Sequence, residues 1–99
     1  MERLSFEPGR VVLSRQGRDE GRYFVILQMV DDQFVMMADG LTRKLDHPKK
    51  KKVKHLQPKP VLVDGVAEGL ASRQLLDSDL RKALAAAGLE IDQPLCKEG

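Results

Sequence analysis

Gly9-Arg10-Val11-Val12-Leu13-Ser14-Arg15-Gln16-Gly17-Arg18-Asp19-Glu20-Gly21-Arg22-Tyr23-Phe24-Val25-Ile26-Leu27 is the stretch that decides the fold. Pro8-Gly9 is a turn signal, and Val11, Val12 and Leu13 behind it read as a first strand. The polar run Arg15 to Gly21 carries glycines at 17 and 21. Glycine adopts φ > 0 without a steric penalty, so this run reads as a tight reversal rather than a helix. Arg22 to Val30, rich in Tyr, Phe, Val and Ile, is the strongest strand in the chain. Its apolar run from Tyr23 to Leu27 is continuous instead of alternating, which predicts cover on both faces of that strand. Of Tyr23 and Phe24, one must point outward.

Working outward, Asp31-Asp32 reads as a turn and Phe34 to Met37 as the next strand. Asp39-Gly40 is a hairpin signal leading to a short strand near Thr42 to Leu45. The lysines that follow are expected as a loop, a cationic protrusion between strands. Val53, His55 and Pro58 fit a last edge strand that Pro58 and Pro60 bring to an end. From Asp64 the period changes. Val66, Leu70 and Leu75 with Ala67 and Ala71 fit a helix that Asp64 can cap. A second helix is expected from about Asp79 to Ala87, capped by Asp77 or Ser78, striped by Leu80 and Leu84, and stopped by Gly88. Leu89 to Gly99 reads as a frayed tail. The expected architecture is β with an α extension: a small, strongly bent barrel of about five strands over residues 1–60, then a two-helix segment over 61–99. Leu13, Val25, Leu27, Val35, Met37, Leu45 and Val53 are the expected interior, with the helices packed across one open end.

Composition narrows the class of molecule. Ninety-nine residues, 41% hydrophobic and 32% charged, suit one small domain with one modest core. The longest apolar run, Tyr23 to Leu27, falls far short of the roughly 20 residues of a membrane span. No apolar segment follows Glu2 and Arg3, so no secretory signal is expected. Cys96 is the single cysteine, which excludes an intrachain disulfide and suits a reducing, cytoplasmic setting. A membrane protein, a disulfide scaffold and a large enzyme are excluded. Charge is unevenly spread. Met1 to Pro60 holds 13 Lys/Arg against 8 Asp/Glu, whereas Val61 to Gly99 holds 4 against 7. Arg43 to Lys59 alone carries eight basic residues and one acid, Asp46. Such a block is the footprint of a polyanion binder.

The segment Gly9 to Leu27 resembles a KOW motif: a strand, a glycine-bounded loop and a second strand, found in ribosomal proteins and transcription elongation factors. Its continuation through Val30-Asp31-Asp32, Val35, Ala38-Asp39-Gly40 and Arg43-Lys44-Leu45 resembles the KOW-type large-subunit ribosomal proteins that include a fourteen-e type. The bacterial members of that group are short chains with a lysine run and a helical C-terminus, to which this chain is similar. The resemblance spans about Gly9 to Lys59. It implies an SH3-like barrel and, as partner, ribosomal RNA or another structured RNA of the translation apparatus. Two positions depart from the pattern. Glu20 stands where many KOW loops carry Lys, and Phe24 where many carry a third Gly. Glu20 lowers the loop's charge and leaves phosphate contact to Arg15, Arg18 and Arg22.

Two groups of residues are the candidate RNA contacts. In the loop, Gly17 and Gly21 let backbone approach a phosphate while Arg15, Arg18 and Arg22 offer paired donors to it. The bland reading is a plain turn with a solvated rim. Arg43, Lys44, Lys49, Lys50, Lys51, Lys52 and Lys54 form the second group, able to release counterions from RNA. The bland reading there is a solubility face. Pro48 to Lys54 also looks like a nuclear import signal. No catalytic constellation is visible. His47, His55 and Cys96 are too few and too scattered for a zinc site, and no cofactor or small-molecule fingerprint occurs. The expected partners are therefore RNA, with ribosomal proteins as a second class, and no membrane. The competing reading is a protein-interaction module using the acidic helical half, with Asp64, Glu68, Asp77 and Asp79.

Overall fold

The computed structural model describes residues 4–88. The expected tail, with Cys96, lies outside the described residues. Strands β1 (Arg10–Ser14), β2 (Tyr23–Met29), β3 (Phe34–Ala38), β4 (Lys49–Lys52) and β5 (Leu56–Leu62) precede helices α1 (Val66–Ala71) and α2 (Asp77–Ala86). A 3₁₀ turn, Val53–His55, links β4 to β5. The strands form one antiparallel sheet in the order β4-β3-β2-β1-β5. This is the expected small barrel-like β domain with C-terminal helices.

The continuous apolar run of β2 is explained by two cores, one on each face of the sheet. Phe24 and Ile26 join Val12, Val35, Met37 and Leu56 on the concave side, with Phe6, Met29 and Val53 against them. Val25 and Leu27 join Val11 and Ala38 on the other side, where Val66, Leu80 and Leu84 of the helices cover them. Tyr23, half-buried, packs against the helix-side cluster, so the two rings of the pair serve opposite cores. A register shift between Ile26 and Gln28 lets Met29 return to the concave side opposite Val35. The expected interior is therefore half right. Val35, Met37 and Val53 line the barrel, but Val25, Leu27 and Leu45 serve the helix side, and Leu13 belongs to neither cluster. The helices cover a sheet face rather than an open end. The physical reason is that β1 and β2 carry apolar residues at consecutive positions, so a single-faced barrel would leave half of them in water.

Three local expectations are also corrected. No strand forms at Thr42 to Leu45. Instead the buried Asp39 carboxylate accepts hydrogen bonds from the amides of Leu41, Thr42 and Arg43 at 2.8–2.9 Å and from the Thr42 hydroxyl at 2.8 Å. That closes a compact turn and releases the pairing edge of β3 to Lys49–Lys52. Pro58 and Pro60 do not end β5, which runs to Leu62. β5 is an edge strand and its register against β1 shifts between Arg10 and Val12, conditions under which proline is tolerated. Finally, neither expected cap caps. Gly65 precedes α1 in a left-handed conformation and Leu76 precedes α2, while the Asp77 carboxylate accepts the Leu45 amide at 2.8 Å. Gly88 follows α2 at φ +76°, the expected stop.

Candidate nucleic-acid interface

The β1–β2 loop is built by its own backbone. The Gly21 amide donates to the Ser14 carbonyl at 2.8 Å and the Arg22 amide to the Asp19 carbonyl at 3.0 Å. Gly17 and Gly21 hold φ of +88° and +87°, the left-handed region that the glycine pair was expected to supply. Arg15 and Arg18 are exposed on the loop and Arg22 is half-buried at its exit. The ion pairs among the described residues, Arg10–Glu7 and Arg43–Asp19, leave all three without a carboxylate partner.

The lysine run is a strand, not a protruding loop. Lys49, Lys50, Lys51 and Lys52 stand opposite Met37, Met36, Val35 and Phe34 of β3. Cross-strand partners share a face, so Lys49 and Lys51 lie on the side of the concave core and Lys50 and Lys52 on the outer side. Lys51 reaches across the barrel mouth, where its Nζ donates to the Gln16 carbonyl at 2.7 Å. The Arg15 amide donates to the His55 carbonyl at 2.9 Å. These two bonds bring the arginine loop, the lysine strand and the 3₁₀ turn to one rim. On the outer side, Lys50 and Lys52 hold their ammonium groups 4.8 and 5.8 Å from the centre of the Phe34 ring.

Arg43 and Lys44 are placed differently. The Arg43 guanidinium pairs with the buried Asp19 at 3.2 Å and ties the Asp39 turn to the β1–β2 loop, so its charge is spent inside the fold. Lys44 and Lys54 are exposed. The density of charge on the rim registers on His55. Loss of solvation around its half-buried ring, then the positive charges of Lys54, Lys51 and Lys52, lower its pKa from the usual 6.5. Sequence reasoning gave Phe34 no part beside the basic residues. Reading the lysines as a strand opposite Phe34–Met37 is the signal that would have found it. Among the described residues no group of three or more His, Cys, Asp or Glu could hold a metal ion.

No protein-family model matches the chain. The large ribosomal subunit protein eL14 of Methanococcus maripaludis is 33% identical over 85 residues, spanning 86% of this chain and 96% of that protein. The chain belongs to the eL14 family of large ribosomal subunit proteins. The eL14 proteins of Staphylothermus marinus and Hyperthermus butylicus are 29% and 27% identical, also over 86% of this chain and 82% and 81% of their own lengths. The eL14 likeness thus runs well past the KOW segment that ends near Lys59.

Proposed function

We propose that this eL14-family chain is a non-enzymatic RNA-binding protein of the translation apparatus, seated on ribosomal RNA in the cytoplasmic large subunit, with neighbouring ribosomal proteins as a second class of partner. The observation that carries this reading is the Lys51–Gln16 bond, which joins the arginine loop and the lysine strand into a single cationic rim. Arg15, Arg18 and Arg22 present planar donors that fix orientation, and Lys49, Lys50, Lys51, Lys52, Lys54 and Lys44 neutralise phosphates around them. Arg43 acts one step back, by fixing the loop through Asp19. Residues 1–60 are the gripping unit, and within 61–99 the helices α1 and α2 are a brace, a reading that the helix-side core supports. No helix among the described residues is long and apolar enough to cross a membrane. A short, bacterial-type member of the family is the finer reading, supported by the lysine run and by helices α1 and α2 after the barrel.

Salt tests the proposal. If roughly 4–6 phosphates are neutralised, the log–log dependence of RNA affinity on salt should have a slope of about −3 to −5. A slope near zero, or no binding of structured RNA at low salt, would overturn it.

A further inference from the structure

Phe34 is the aromatic residue of β3, and the arginine and lysine assignments give it no role. Its ring is half-buried at the first position of the strand, opposite Lys52. Lys50 and Lys52 stand over it at 4.8 and 5.8 Å. Two ammonium groups beside one ring repel each other and are held there only by the weak attraction of the π face. Beside them lies a hollow of about 100 Å³ lined by Gln33, Lys52, Val53 and Lys54. That is about three water molecules' room, too little for a base, so a base can only stack on the ring from outside. The accessible lining of the hollow is mostly carbon, the stems of the lysines and Val53. Asp31 and Asp32 precede Phe34 in the chain, and the Asp31 carboxylate accepts from the amides of Gln33 and Phe34 at 2.8 and 2.9 Å.

We propose that Phe34 is the stacking platform for one unpaired nucleobase of the bound RNA, with the adjoining phosphates met by the Lys50 and Lys52 ammonium groups that now stand over the ring. The proposal rests on the RNA-binding reading above and narrows its target: the RNA must present a splayed base at this rim, not only a paired backbone. Lysine ammonium groups swing to phosphates on long flexible stems, and the ring they leave is taken by a base of any sequence, because every base has a π face. A duplex satisfies the lysines but cannot give up a base cheaply.

The experiment uses the full chain and two RNA probes of equal phosphate count, a hairpin with an unpaired loop and a blunt duplex. Phe34→Leu keeps the apolar volume and removes the π face. It should weaken hairpin binding by about 5- to 10-fold and duplex binding by less than about 2-fold. Lys50→Gln with Lys52→Gln should weaken both probes. The chain has no tryptophan, so in Phe34→Trp a single indole reports the site: the hairpin should quench it and the duplex should not. If Phe34→Leu binds both probes like the parent, or loses both equally, the stacking role is overturned while the RNA-binding reading stands. If the parent binds neither probe at low salt, both fall together.

Discussion

Gly21 and Arg18 lie three residues apart in the β1–β2 loop and contribute to different quantities. Gly21 sits at φ +87° with no atom within 4 Å of where a Cβ would be placed. A side chain there meets backbone strain and no collision. Gly21→Val should therefore cost about 1–3 kcal/mol of stability in denaturant unfolding. A variant as stable as the parent would show that the left-handed turn is not required. Arg18 is exposed, with no carboxylate partner. Arg18→Ala should leave the melting temperature unchanged and lower RNA affinity by one charge-assisted contact, about 1 kcal/mol or more. Unchanged affinity would reduce the loop to a turn. Arg43 looks equivalent in sequence and is not. Arg43→Ala strands the Asp19 carboxylate, which is 6% exposed. Its loss should appear as about 1–3 kcal/mol of stability, measured by chemical denaturation, before it appears in binding.

At the scale of the element, β4 is four lysines that hold their place by backbone pairing and not by burial of apolar side chains. An edge strand of lysines also blocks pairing with a second chain, so the run guards the sheet edge as well as offering charge. Replacing Lys49, Lys50, Lys51 and Lys52 by Gln keeps the backbone donors and relieves like-charge repulsion. The melting temperature should fall only by the small amount of the lost Lys51–Gln16 bond while RNA affinity falls steeply. The ammonium groups make no ion pair among the described residues, and a surface hydrogen bond contributes little. Equal loss of affinity from substituting Arg73 and Lys82 on the helical half would place the binding face elsewhere. The same element shows what could be read in advance. β1, β2 and the loop between them were legible because apolar runs and two glycines act locally. β4 was not, because its strand state is imposed by β3 once the Asp39 carboxylate has folded the intervening residues into a turn. Nothing in a run of lysines announces that partner. Arg43 misled for a related reason: it stands beside Lys44 at the head of the basic block, and the acid it pairs with lies 24 positions away.

Across the whole molecule, two cores lie on opposite faces of one sheet with the helices over one of them. The cationic rim runs along the β4 edge, joined to the β1–β2 loop by the Lys51–Gln16 bond. The rim's field acts on any titratable group within it, and His55 is that group. Its pKa lies below 6.5, first because solvation is lost and then because Lys54, Lys51 and Lys52 oppose a fourth positive charge. The sign for stability follows. The unfolded chain binds this proton more readily than the folded one, so the contribution of His55 to stability is fully present above about pH 6.5 and is lost as pH falls toward the depressed folded value. Binding reverses the balance. Phosphates laid across the same lysines neutralise the charges that hold the proton off, and the His55 pKa rises in the complex. RNA binding must then take up a proton, and affinity should increase as pH is lowered from about 7.5 to 5.5 at constant salt. His55→Gln should flatten that dependence and His47→Gln should keep it, with affinity read by titration at each pH. A pH profile that His55→Gln leaves intact would mean that the RNA does not lie over Lys51, Lys52 and Lys54, and the rim would have to be redrawn around the arginine loop alone.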